Sequence, residues 1–496
     1  MYDHYKPLRN FVRKLDMETC LVNIWQLLQN IDHCLALPQD FRRFDGKVLS
    51  EHIRPWELGI LAREVILHAQ GENNNSLLTA DNLTAAINHI RRLVGEQSKK
   101  HVNENTIRHE MFRLSHQQFF WQESDQAKLA RYLKIFKDEN LDKILSAATS
   151  LTVKEIYVIG ITIAGYFLEH THVDLKINLN GYGITEEKLT LFLQLTAMDI
   201  IAIRTKTHGC QEYNENWGYT FNPLMSTPLV IIDPARPTRV ICPIPRYLFE
   251  RITEGLIFDI YRVNGHEQPF GSAFQAYVKN VSERLLLNSV YQVREGEPYQ
   301  LNRQKKHGLD LYVFDDDDAM LIECKAKRLR LNSKYQGNEE ALSVDLSTLA
   351  QSIFQNYKNL IDIINNSVPW KPNGRNLYPV VVTLMDCYLW TPAMQDKLNA
   401  FIIEKMIRED INLEVMGQYP YSVMSVADFE LSLQVILHEG IQTFFNDKQH
   451  PYYSGWSVES FIRNKYRYLS EHFNVNYLKV ELDELIDSFA FQENQP

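Results

Sequence analysis

Cysteine is scarce in this sequence. The six cysteines among 496 residues (Cys20, Cys34, Cys210, Cys242, Cys324 and Cys387) are scattered, and no two form a CxxC pair. That pattern excludes a disulfide frame or a CxxC zinc site and predicts reduced thiols in a cytoplasmic protein. Long apolar runs are also missing. The longest, 156-IYVIGITIAGYFL-168, is too short to cross a bilayer and is followed by Glu169 and His170, so it reads as a buried core helix. The opening residues, MYDHYKPLRNFVRK, have no apolar stretch of the signal-peptide kind. A soluble chain without membrane contact is therefore expected. Positive charge is not in excess either. Lys and Arg number 52 against 62 Asp and Glu, a formal net charge of -10. The chain is not a polycation, and any contact with nucleic acid must be local. P-loop, GxGxxG, HExxH and nucleophile-elbow patterns are all absent, so the sequence offers no ATPase of its own.

What is present is an ordinary globular composition, 45% hydrophobic and 23% charged, at a length that suggests two or three domains. Residues 1–220 read as an all-helical domain. Within it, Pro55 opens the helix 55-PWELGILAREVILHA-69, and Leu83, Ile87, Ile90 and Leu93 share one helical face. The texture changes near 217. Two β-rich runs flank the turn 233-DPARPT-238, a hairpin signal. Helices are expected at 244–262 and 270–287, then strands near 290–299, 308–314 and 319–327. A long helix over 345–365 follows, with Leu346, Leu349, Ile353, Tyr357, Leu360 and Ile364 at three- and four-residue spacing. The run 378-YPVVVTLM-385 reads as a strand buried on both faces. This order predicts an α/β domain over 221–440, with residues 441–496 as a helical C-terminal extension packed on it.

Three charges interrupt two of the strand-like runs in 307-HGLDLYVFDDDDAMLIECKAKRLR-330. Alternation along a strand puts Ile322, Cys324 and Ala326 on one face and Leu321, Glu323, Lys325 and Lys327 on the other. Asp310 and Tyr312 share a face of the preceding run. The tetrad Asp315–Asp318 is a polar turn short enough to join the two as a hairpin and bring Asp310 near Glu323. Two close carboxylates repel, and a divalent cation relieves that repulsion. Oxygen ligands of this kind suit Mg²⁺ or Mn²⁺. A lysine two residues from the second carboxylate can serve a metal-bound water or stabilise charge on phosphorus.

Asp310 followed by Glu323-Cys324-Lys325 resembles the D…(D/E)xK signature of the PD-(D/E)xK nuclease superfamily, the restriction-endonuclease-like fold. The family's αβββαβ core, a mixed sheet flanked by helices, is similar to segments 270–385. Residues 225–330 resemble, in outline, bacterial members with a helical N-terminal region, in which a Cys-Pro pair (here Cys242-Pro243) and a Gly-x-x-Phe helix (here Gly271 to Phe274) precede the catalytic strands. The resemblance implies metal-dependent phosphodiester hydrolysis. Asp310, Glu323 and the carbonyl of Cys324 would hold the metal, and Lys325 would serve the attacking water. Leu309 stands where the signature's name has proline. Gln275 stands where many members carry a glutamate on the preceding helix, and Glu283, two turns on, is the candidate substitute. An E-x-K triplet alone is weakly specific, since Glu186-Glu187-Lys188 also contains one. The apolar strands on each side and the preceding aspartate supply the specificity.

Basic residues flank the site: Lys305, Lys306 and His307 before it, Lys327, Arg328 and Arg330 after it. They are candidates for phosphate contacts, and His307 also for an acid. Gln351 and Gln355 lie one turn apart on the following helix, where related nucleases place polar residues near phosphate. The function expected is a Mg²⁺-dependent endonuclease acting on DNA, as the effector of a bacterial restriction or anti-phage system. The helical N-terminal domain would then serve sensing, homo-oligomerisation or a protein partner. Two alternatives stand beside it: a nuclease-fold scaffold working through a partner, and an RNA-cleaving effector of growth arrest.

Overall fold

The chain folds as two units, Met1–His266 together with Lys479–Pro496, and Glu267–Leu478. The structure, a computed structural model, describes residues 1–37, 49–70, 76–77, 79–101, 107–121, 125–326, 330, 334, 339–389, 392–474 and 477–490.

The first unit is mainly helical, with a small sheet. Helix α1 (Met17–His33) starts at Asp16, whose carboxylate accepts the Thr19 amide. Helix α2 (Pro55–His68) has Pro in its first turn and is buried over most of its length. Helix α3 (Val153–Glu169) carries the long apolar run. Thr152 and Glu155 form a capping box at its start, and its residues Ile156, Tyr157, Ile159, Ile163 and Phe167 are buried. Gly160 lets α3 approach α4 (Pro245–Ile252) closely, since a Cβ there would stand 2.8 Å from Ile252. Trp25 of α1 donates its indole N–H to the Phe167 carbonyl at 2.8 Å. No single helix among the described residues is long and apolar enough to cross a membrane. The consecutive pair Glu139–Thr149 and Val153–Glu169 passes together on length and composition but is bent by 66°.

Residues 1–220 are not all helical, and the boundary lies later than 220. Strands β1 (His172–Asp174) and β2 (Ala197–Asp199) join β3 (Leu229–Ile231) and β4 (Arg239–Ile241) in a sheet of order β1-β4-β3-β2. The β3–β4 hairpin, with the Cys242-Pro243 pair after it, therefore belongs to the first unit: its partners lie earlier in the chain. Residues 244–262 form two helices rather than one, interrupted at Thr253, whose φ and ψ of -115° and -105° leave the helical region. The C-terminal segment divides as well. Residues up to Leu478 belong to the second unit, whereas the helix Lys479–Ala490 belongs to the first, where Glu481 pairs with Lys134 at 3.5 Å.

The second unit begins with α5 (Glu267–Leu285), whose Phe270, Phe274, Tyr277, Val278 and Val281 are buried at helical spacing. Its main sheet contains β5 (Gln292–Glu295), β8 (Leu311–Phe314), β9 (Asp318–Lys325), β10 (Asn376–Thr383) and β11 (Ser422–Ser425), in the order β11-β10-β9-β8-β5. Strands β5, β8 and β9 form an antiparallel meander. Helix α6 (Glu339–Ile364) then carries the chain across to β10, parallel to β9, and α7 (Pro392–Arg408) leads on to β11, parallel to β10. Such crossovers cover a sheet with helices, and every residue of β9 except Lys325 is buried. A separate hairpin, β6 (Tyr299–Leu301) and β7 (Gln304–Lys306), is inserted between β5 and β8. Its two turn residues, Asn302 and Arg303, have φ of 51° and 65°, the signature of a type I′ turn. After β11 come α8 (Val426–Glu439) and α9 (Ile441–Gln449).

Candidate active site

The turn between β8 and β9 is built by the first of its four aspartates. The Asp315 carboxylate accepts the amides of Asp317 and Asp318 at 2.9 and 2.8 Å, an Asx-type closure. This tight turn fixes the register: Phe314 faces Ala319 and Leu311 faces Ile322. One step further, Asp310 comes opposite Glu323. Asp310 lies just outside the regular strand, and its Oδ2 accepts the Cys324 amide at 2.7 Å. Lys325, two residues beyond Glu323 and on the same face, places Nζ 2.7 Å from Glu323 Oε1. Glu323 is 5% exposed, while the Lys325 side chain is 32% exposed. The site thus has a buried carboxylate at its floor and a partly exposed lysine side chain beside it.

Burial sets the electrostatics. It raises the Glu323 carboxyl to about 7; the charge of Asp310 pushes the same way, and Lys325 opposes both. Asp310 is also raised by burial, against the Cys324 N–H and the charge of Lys325. For Lys325 burial acts downward, but Glu323 and then Asp310 outweigh it and hold the ammonium above its ordinary value. With all three groups ionised the site carries two negative charges and one positive, in surroundings that penalise each. An oxygen-rich, net-negative pair of this kind suits a hard divalent cation, which binds through one or two carboxylates plus waters and substrate oxygens. No group of three or more His, Cys, Asp or Glu side chains arranged for a metal occurs among the described residues. A cation here would rest on Asp310, Glu323 and backbone oxygen.

The remaining candidates fall in different places. Gln275 of α5 donates through Nε2 to the Asp310 carbonyl at 3.3 Å, so it supports the aspartate's backbone. Glu283 is exposed and lies eight residues along the same helix, about 12 Å from Gln275 at 1.5 Å per residue. It therefore does not replace the missing carboxylate. Lys306 is drawn away from the phosphate role by Asp362 of α6, to which it bonds at 2.7 Å, and Tyr299 donates to the same oxygen at 2.5 Å. Lys305 and His307 are exposed. Arg330 pairs with Asp345. On α6, Gln351 is exposed and Gln355 half-buried, and neither hydrogen-bonds to Asp310, Glu323 or Lys325 among the described residues. Lys327 and Arg328 lie outside the described residues.

Asn356 is a residue that apolar periodicity passes over. Its Nδ2 donates to the carbonyls of Leu321 on β9 and Val380 on β10, at 2.9 and 3.0 Å, and so fastens α6 across the strand that carries Glu323. Its signal in the sequence is an amide on the apolar side of the helix, three residues after Ile353 and next to Tyr357. No family model, curated protein or solved structure matches the chain.

Proposed function

We propose that the second unit is a Mg²⁺- or Mn²⁺-dependent phosphodiesterase cleaving nucleic acid, with DNA as substrate. The observation that carries the proposal is the convergence of Asp310, Glu323 and Lys325 from adjacent antiparallel strands. The element order α5, β5-β8-β9 meander, α6, parallel β10 supports it, because it agrees with the αβββαβ arrangement of restriction-endonuclease-like enzymes. Asp310, Glu323 and the Cys324 carbonyl would hold the cation. When bound, it would polarise a phosphoryl oxygen and acidify a water. Lys325, whose side chain is partly exposed, would hold that water by hydrogen bonding and stabilise the negative charge growing on phosphorus.

The test is incubation of the full chain with plasmid, linear DNA and RNA in Mg²⁺, Mn²⁺ or EDTA, alongside Asp310→Ala, Glu323→Ala and Lys325→Ala. Cleavage that EDTA and each substitution abolish supports the proposal; full activity of Lys325→Ala contradicts its assigned role. Cleavage confined to RNA would move the substrate to RNA. One observation favours a second reading, a nuclease-fold scaffold: a neutral Gln275, already engaged with the Asp310 carbonyl, stands where a third carboxylate would strengthen the metal site. Mn²⁺ binding that is lost in Asp310→Ala separates the catalytic site from the scaffold.

A further inference from the structure

Asp310 is placed by a defect in the β-ladder that leads to it. In the main sheet Glu295 faces Leu311; in the inserted hairpin Tyr299 faces Lys306. Between these two pairs the first strand spends three residues, Gly296 to Pro298. The second spends four, His307 to Asp310. One extra residue on one strand of an antiparallel pair is a β-bulge, which bends that strand and re-aims the side chains beside it. Here the bulged strand is the one that ends in Asp310.

The approach of the two segments within the bulge requires glycine. A Cβ at Gly296 would stand 1.9 Å from the Leu309 carbonyl oxygen, and one at Gly308 would stand 2.8 Å from the Glu297 carbonyl oxygen. Both obstacles are backbone atoms, so no side-chain rotation relieves them. The peptide crowded by Gly296 is the Leu309–Asp310 link itself. The consequence reaches β9. In a regular antiparallel ladder, a Cys324 amide directed at the neighbouring strand would meet the carbonyl of Leu309, opposite it two residues beyond the Leu311–Ile322 pair. That amide donates instead to the Asp310 carboxylate.

We infer that Gly296 and Gly308 are positioning residues, which close the bulge and thereby seat the Asp310 carboxylate on the Cys324 amide, opposite Glu323. The catalytic use of that seat rests on the nuclease reading; the seat itself does not.

The experiment takes the full chain with Gly296→Ala and Gly308→Ala, and Gly271→Ala as control, since a Cβ at Gly271 meets nothing within 4 Å. Retained fold is read by near-UV circular dichroism. In folded Gly296→Ala, protection of the Cys324 amide against hydrogen exchange should fall about tenfold. Mn²⁺ affinity should weaken about 10- to 100-fold, the range of losses seen when a ligand's support is removed. The kcat should fall about 100-fold with KM little changed, as a displacement of about 1 Å in a catalytic group produces. Gly308→Ala, less crowded, should show the same effects in smaller degree and decides the matter if Gly296→Ala does not fold. Wild-type Cys324 protection in a folded variant overturns the inference. If the wild-type protein neither binds Mn²⁺ nor cleaves, the nuclease reading fails alone, and the exchange measurement still decides the positioning.

Discussion

Replacing Glu323 by glutamine should make the second unit more stable at pH 8 than at pH 4.5, relative to the wild-type protein. The carboxyl is raised from its ordinary 4.5 to about 7, first by burial and then by Asp310. A group whose folded pKa lies above its unfolded one holds its proton more tightly in the folded state. Its ionisation then costs stability, beginning near pH 4.5 and complete above pH 7. A rise of this size corresponds to about 3 kcal/mol, and Glu323 is buried deeply enough that little is lost to solvent screening. In calorimetry a change of 1 kcal/mol shifts the Tm of a domain of this length by ~2–4 °C. The gap between Glu323→Gln and wild type should therefore widen by roughly 6–12 °C across the window in the transition of the second unit. Mg²⁺ should narrow that gap at pH 8, because a cation bound to the native state stabilises it by RT ln(1 + [L]/Kd), about 1.4 kcal/mol at tenfold excess over Kd. An offset that stays constant from pH 4.5 to 8 would refute the reasoning, for it would mean that Glu323 does not titrate there.

Other expectations concern its neighbours. Lys325→Met should lower kcat by about 10²–10³-fold, the range associated with losing one donor that stabilises developing negative charge, while Mn²⁺ binding measured by calorimetry persists. Loss of that binding would make Lys325 structural. Asp362→Ala removes the shared acceptor of Tyr299 and Lys306; hydrogen exchange in residues 299–306 should rise, with a stability loss of about 1–3 kcal/mol. Asn356→Leu strips the buried donor from two strand carbonyls and should cost about 1–3 kcal/mol in urea unfolding.

Much of the site was legible because the hairpin carrying it obeys strand alternation closely. Glu323 and Lys325 share a face, the aspartates make the turn, and the register follows from the turn. The long helix was legible too, from Leu346 to Ile364. The β6–β7 hairpin escaped notice because its turn uses Asn302 and Arg303, not the Asn-Gly pair that usually marks positive φ. The strands at 172–174 and 197–199 escaped because three residues are too few for a period of two to show. Their pairing with the 229–241 hairpin is nonlocal, and that pairing moved the domain boundary. Lys306 read as a phosphate ligand because a basic run reveals nothing of Asp362, 56 residues later.

The helix Lys479–Ala490 returns to the first unit after the second is complete, so the second unit is an insertion with two covalent junctions. Proteolytic nicking at the 266–267 peptide alone leaves both pieces joined through 478–479. Truncation at 440, chosen to isolate a C-terminal catalytic region, would remove part of one unit and the closing helix of the other. A separable fragment has to be excised at both junctions.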